Sequence, residues 1–206
     1  ERFLHFVPQE DAKFFFKREF NVDLKDCSMI CSVANFYPSF KNHTVLLKAV
    51  AKLLYEYQLP VQLVLAGIGP RLDEMKQLAK DLGIADFVYF VGHTTKTTEL
   101  YFYSDINALT SNHEALGIVL LEGALLKKPL IGTAGTGMEA VVKHEQTGLL
   151  FKSNNVNDLV KQIARILTDT SFAQKLGENA SSFVKSQFLS ESNVKKIIAF
   201  YAAVLS

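Results

Sequence analysis

The run Ser111-Asn112-His113-Glu114-Ala115-Leu116-Gly117-Ile118-Val119-Leu120-Leu121-Glu122 joins two kinds of periodicity. Behind it, residues 106–110 form a short apolar run of strand length. Ahead of it, residues 116–126 carry apolar side chains at helical spacing. A strand that turns directly into a helix is half of a βαβ unit. Outward from this point the alternation repeats. Strands are expected at 28–33, 61–66, 87–91, 106–110, 129–133 and 148–151. Helices are expected at 44–57 (stripe on Leu46, Val50, Leu53 and Leu54), 71–82 (closed by Gly83), 98–103 and 116–126. Helices alone follow at 156–167, 171–187 and 190–205. Strands alternating with helices imply an α/β fold: a Rossmann-like parallel six-stranded sheet, helices on both faces, and a helical C-terminal tail. In such a sheet ligands bind at the carboxyl ends of the strands.

The composition narrows the class. The chain has 206 residues, a formal charge of +1, 49% hydrophobic residues and 21% charged ones. These values exclude a disordered polyelectrolyte and suit one domain with its own core. No uninterrupted apolar run approaches the ~20 residues of a membrane span, and Glu1-Arg2-Phe3-Leu4-His5 does not read as a signal peptide. The lysines are scattered, with pairs such as Lys127-Lys128 and Lys195-Lys196 far apart, so nucleic acid is not an expected partner. Cys27 and Cys31, four residues apart in an extended segment, lie about 13 Å apart, too far for a disulfide. Two free thiols suit a reducing, cytoplasmic compartment. Asn42-His43-Thr44 and Asn179-Ala180-Ser181 match a glycosylation triplet and are read as chance. The five histidines lack metal-ligand spacing, so no metal site is expected. The run Phe14-Phe15-Phe16 is read as core or interdomain packing.

Two strand-to-helix loops carry candidate chemistry. In the first, the backbone N–H groups of Leu116, Gly117 and Ile118 fall at a helix N-terminus, where donors without helical partners receive anions. Gly117 leaves room for close backbone approach. The helix is apolar nearly all round and so is expected to be buried. Glu122 falls on its stripe with Ile118 and Leu125. An ionised carboxylate there needs hydrogen-bonding partners. It is either a satisfied structural carboxylate or, with Glu114 in the loop, half of a pair facing a polyhydroxylated ligand. The second loop is Asn35-Phe36-Tyr37-Pro38-Ser39-Phe40-Lys41-Asn42-His43-Thr44. Lys41 sits where the helix dipole disfavours a cation, which makes sense if an anion lies between them. A solvated lysine is the structural alternative.

These landmarks in order resemble retaining nucleotide-sugar glycosyltransferases of family 4, also called group 1. They are Asn35-x5-Lys41, Ala66-Gly67-Ile68-Gly69-Pro70, Glu114-x7-Glu122, and Glu139-Ala140-Val141-Val142 with Thr147-Gly148-Leu149-Leu150. The resemblance covers residues 28–170. It implies a two-domain B-type fold with this chain, 1–206, as the C-terminal donor-binding domain. The segment 190–206 would cross toward an N-terminal acceptor domain. It also implies that Lys41 contacts the donor diphosphate and that Glu122 holds the ribose hydroxyls. Glu114 would lie beside the transferred sugar, and the amides of Leu116, Gly117 and Ile118 would bind sugar and diphosphate. Gly67 and Gly69 mark the glycine turn of the donor site, and the Val91-Gly92-His93 turn is a candidate for contacting the base through its backbone. Two positions depart from the family. Asn35 stands where an arginine on the diphosphate is usual, and an amide cannot neutralise charge. Asn42 stands where glycine is usual.

The implied activity is metal-independent, configuration-retaining transfer from a UDP- or GDP-linked sugar to a glycan or lipid-linked acceptor held by the absent half. No cofactor is expected. The full protein would be cytoplasmic, at the inner face of the membrane if membrane-associated. Glu114 and Glu122 as a glycosidase acid and nucleophile are set aside, because one lies in a helix expected to be buried. A dinucleotide oxidoreductase would need Gly-x-Gly-x-x-Gly at the first strand–helix turn, where this chain has Ala34-Asn35-Phe36-Tyr37-Pro38. A non-catalytic nucleotide-sugar-binding module remains the alternative.

Overall fold

The computed structural model describes residues 3, 4, 6–37 and 39–189. The expected helix at 190–205 and the crossing segment 190–206 lie outside them. The elements run α1 Ala12–Phe20, β1 Ser28–Val33, α2 His43–Tyr55, β2 Val61–Ala66, α3 Leu72–Asp81, β3 Val88–Gly92, α4 Thr97–Tyr103 and β4 Ile106–Leu109. They continue through α5 Ile118–Leu125, β5 Leu130–Thr133, β6 Gly148–Phe151, α6 Val156–Thr168 and α7 Thr170–Gln187. A single 3-10 turn, Ser39–Lys41, precedes α2. The six strands lie in the order β3-β2-β1-β4-β5-β6, all parallel. The order reverses between β1 and β4, the point at which doubly wound sheets bind ligands.

Alternation along each strand decides which helices cover which face. Ile30 of β1, with Val61, Leu63 and Leu65 of β2, points into a core closed by α2, α3 and α6. Met29, Cys31, Val64 and Ala66 point the other way, onto Phe15 and Phe16 of α1 and Leu100 and Tyr101 of α4. Further along that second face, Leu109 and Leu130 meet Leu120 and Ala124 of α5 and Ala180 and Val184 of α7. All six residues of β2 are buried, as a central parallel strand requires.

One expectation gains detail here and one changes. The phenylalanine run belongs to a helix, α1, capped by the Asp11 carboxylate accepting from Phe14 N–H at 2.9 Å and ended by Asn21 in the left-handed region. Phe15 and Phe16 are core, whereas Phe14 is exposed. Second, α5 is not buried all round. Leu120, Gly123 and Ala124 are inside, but Ile118 is 66% exposed and Glu122 is half-buried. The helix is only eight residues long and starts two residues later than its apolar pattern, so its first turn emerges at the edge of the sheet. What fixes its depth is a polar group. Asn107, fully buried on β4, donates Nδ2–H to the Val119 carbonyl at 2.7 Å, and Gly123 provides the space for that amide.

Candidate functional site

The carboxyl ends of the strands carry the two loops singled out by the sequence, and the structure brings them together at the switch point. The turn after β1 is tied to the loop after β4 at several places. Asn112 N–H donates to the Phe40 carbonyl at 2.7 Å. Thr110 Oγ1 donates to the carbonyls of Lys41 and Asn42 at 3.3 and 3.2 Å. Asn42 Nδ2 donates to Asn112 Oδ1 and to Asn154 Oδ1, each at 3.0 Å, and Asn112 Nδ2 reaches the same Asn154 oxygen. Three asparagines thus join the loops after β1, β4 and β6. Asn42 itself has φ 53°, ψ 39°. Asparagine is among the few non-glycine residues that enter the left-handed region readily, so it makes this turn where the sequence resemblance implies glycine.

Across this seam Lys41 Nζ lies 2.7 Å from Glu114 Oε2, with the two side chains 23% and 18% exposed. The anion that a lysine before α2 calls for is present, and this chain supplies it. The ammonium also lies 5.5 Å from the centre of the Phe40 ring. Lys41 forms the wall between two depressions. The larger, about 540 Å³, is lined by Phe40, Lys41, Asn112, Glu114 and the Gly135-Thr136-Gly137 turn after β5, with His113 at its side. The smaller, about 350 Å³, is lined by Asn35, Lys41, Gly67, His93, Thr94 and Val119 among others. Asn35 spends its side-chain oxygen on the Ile68 amide at 3.2 Å, which holds the glycine turn in place.

The remaining expected residues divide. Gly67 and Gly69, with φ 148° and 150°, let the turn after β2 lie against the backbone of Ala34 and Phe36; a Cβ at either would fall within 2.5 Å of those atoms. Gly67 also lines the smaller depression, whereas Gly69 is a packing residue under Phe36. Gly117 is buried with φ 77°, and a Cβ there would face Met138, Leu109 and Leu120. A left-handed turn into α5 is what requires glycine here. At that helix end the Leu120 amide donates to the Gly117 carbonyl at 2.8 Å, and Gly117 is the N-cap of α5. Leu116 lines neither depression and packs against the core beside α5. Glu122 lines neither depression; it follows Val119, which lines the smaller one, by three residues on the same helix. Its half-exposed position removes the ground for discounting it as a buried carboxylate.

His43, the first residue of α2, is buried and stacked on Phe36 with ring centres 4.3 Å apart. Burial lowers its pKa to about 4, against the pull of the Ala34 carbonyl 3.3 Å away, and the Arg71 and Lys41 charges push the same way as burial. It is therefore a neutral structural group behind Lys41. Sequence reasoning missed the Gly135-Thr136-Gly137 turn. Gly137 N–H donates to the Glu114 carbonyl at 2.8 Å, and a Cβ at 137 would fall 1.8 Å from the Ala115 oxygen. Glu139 accepts from Gly135 N–H at 2.6 Å and stiffens the turn. The signal was Gly-Thr-Gly one residue beyond the end of a strand. Among the described residues no group of three His, Cys, Asp or Glu side chains is placed to hold a metal. No helix among them is long and apolar enough to cross a membrane.

The chain is 31% identical over 201 residues to N-acetyl-alpha-D-glucosaminyl L-malate synthase of Bacillus anthracis, covering 95% of this chain and 52% of that protein. It shares the fold of a glycosyltransferase from Rickettsia africae, with a TM-score of 0.84 and 23% identity over 98% of this chain and 53% of the other. The same holds for HepE of Anabaena, crystallised with UDP and glucose, with a TM-score of 0.79 and 22% identity over 92% and 51% of the two chains. The chain thus spans about half the length of the relatives it matches. Residues 12–183 match the description Glycosyl transferases group 1, and the chain belongs to that family.

Proposed function

We propose that this chain is the C-terminal, donor-binding half of a retaining family 4 glycosyltransferase, holding a nucleotide-diphosphate sugar for transfer to an acceptor carried by the N-terminal half. The observation that carries the reading is the pairing of Lys41 and Glu114 at the switch point, between two depressions of a size for a nucleoside and a hexose. In this reading the nucleoside occupies the depression lined by Asn35, Gly67, His93 and Val119. Glu122 takes the ribose hydroxyls and the His93 backbone the base. The sugar lies in the depression lined by Glu114 and the 135–137 turn, and the diphosphate spans Lys41 and the first amides of α5. Cleaving the sugar–phosphate bond puts negative charge on the leaving diphosphate. Lys41 and the α5 N-terminus meet that charge from fixed positions, which favours the transition state over the ground state. Asn35, a neutral group already used by Ile68, leaves Lys41 as the principal positive charge of the site and implies weak donor binding by this half alone. HepE was crystallised with UDP, and a relative from Mycobacterium tuberculosis is named GDP-mannose-dependent, which supports a UDP- or GDP-linked donor.

The two-domain placement draws support from the rim. Tyr37, Phe40, Ile68 and Ile118, at 48%, 37%, 48% and 66% exposure, ring the carboxyl edge. Apolar residues collected around a polar site are what an interdomain cleft presents. Isothermal titration of the chain with UDP, GDP and ADP, beside Lys41→Ala and Glu122→Ala, tests the reading. Saturable binding of one nucleotide, weakened by both substitutions, is the expected result. Binding that neither substitution weakens would overturn the residue assignment. Robust sugar transfer by this half alone would overturn the division of labour.

A further inference from the structure

Lys41 is, among the described residues, the one lysine or arginine that lines either depression, and its ammonium already has a partner. Both ends of that pair are anchored by backbone. The Lys41 carbonyl accepts from Thr110, the Phe40 carbonyl from Asn112, and the Glu114 carbonyl from Gly137. These bonds tie the two loops to one another, so an exchange of partners falls to the side chains. Glu114 lines the larger depression alone, whereas Lys41 faces both. An anion entering the smaller depression must therefore compete with a carboxylate for the same ammonium.

We propose that Glu114 is a positioning residue that latches Lys41, and that a nucleoside diphosphate binds by taking the ammonium from that carboxylate. The inference rests on the nucleotide reading above and deepens it. When Lys41 turns to the diphosphate, Glu114 is left as an unpaired acceptor in the larger depression, where sugar hydroxyls satisfy it. Occupancy of one depression thus prepares the other, so the sugar portion of the donor is recognised only once its diphosphate has engaged Lys41.

The test is a double-mutant cycle on the chain, with folding of each variant checked by circular dichroism. UDP, GDP and ADP are titrated into wild type, Lys41→Ala, Glu114→Gln and the double variant, using NMR line shapes where dissociation constants reach millimolar. The glutamine keeps the shape of Glu114 but removes the charge that holds Lys41. Glu114→Gln is expected to tighten nucleotide binding about three- to tenfold when Lys41 is present, in line with a charge-assisted pair in a partly buried site. In the Lys41→Ala background the same change is expected to alter binding less than about twofold. Equal tightening in both backgrounds would mean that Glu114 merely repels the diphosphate, and would overturn the latch. Wild-type binding that is lost in Lys41→Ala but no tighter in Glu114→Gln also overturns it, while leaving the nucleotide reading intact. Binding seen only in Glu114→Gln supports the latch. No binding by wild type or by Glu114→Gln overturns both.

Discussion

Replacing Asn42 separates two effects that the site combines. Its backbone is left-handed, with φ 53°, and its side chain, 8% exposed, donates to Asn112 and Asn154 at 3.0 Å each. Alanine removes both hydrogen bonds and keeps a Cβ in a conformation that costs an ordinary residue about 1–2 kcal/mol. Asn154 is exposed and Asn112 half-exposed, so water can replace the lost donor. The hydrogen bonds are then worth about 1 kcal/mol together, and Asn42→Ala should cost about 2–3 kcal/mol. Asn42→Gly loses the same bonds but not the conformational fit, and should cost about 1 kcal/mol less than alanine. The chain has no tryptophan, so urea unfolding is best followed by far-ultraviolet circular dichroism, with ΔΔG taken from the midpoint at constant slope. Equal losses for alanine and glycine would refute the strain argument. A glycine variant as stable as wild type would refute the asparagine network.

Three further outcomes are expected. His43, with a pKa lowered to about 4 from about 6.5 in an unfolded chain, takes up its proton only on unfolding between those values. Stability should therefore fall by about 2 kcal/mol between pH 7 and pH 5. His43→Phe should remove that slope, as urea midpoints at the two pH values would reveal; an unchanged slope contradicts the assignment. Gly137→Ala should displace the Glu114-Ala115 loop, since its Cβ would overlap the Ala115 carbonyl, and so shift the amide resonances of residues 112–118. Spectra confined to changes at residue 137 and its neighbours would count against it. Cys31 is buried and burial raises its thiol pKa, whereas Cys27 is only partly covered. A thiol reagent on the native chain should modify Cys27 alone, with Cys31 following only in denaturant.

Much of this architecture was legible because its signals are local. Strand and helix periodicity marked all six strands, among them Val61–Ala66, whose full burial the structure then showed. The helix α1 escaped because three consecutive phenylalanines suppress the helical stripe; Asp11 and Asn21, its two caps, were the readable evidence. At the site, Lys41 and Glu114 were identified separately, and the need for an anion near Lys41 was argued from the helix dipole. That the anion is Glu114 depends on β1 and β4 being neighbours, a fact of the sheet order and not of any window of sequence. The same nonlocal cause hid Asn107, Asn154 and Gly137, each of which acts on a loop distant along the chain. The apolar face of α5 misled because hydrophobicity does not say whether a helix lies within the core or at its edge.

The central claim is that a donor diphosphate binds at the carboxyl edge, across Lys41 and the start of α5. Amide chemical-shift mapping of the labelled chain during a UDP titration tests it most directly. The predicted shifts concentrate at Asn35, Lys41, Gly67, His93, Glu114, Gly117 and Ile118, and saturate together. Shifts concentrated at the opposite edge of the sheet, around Asp105 and Lys128, or scattered without saturation, would contradict it.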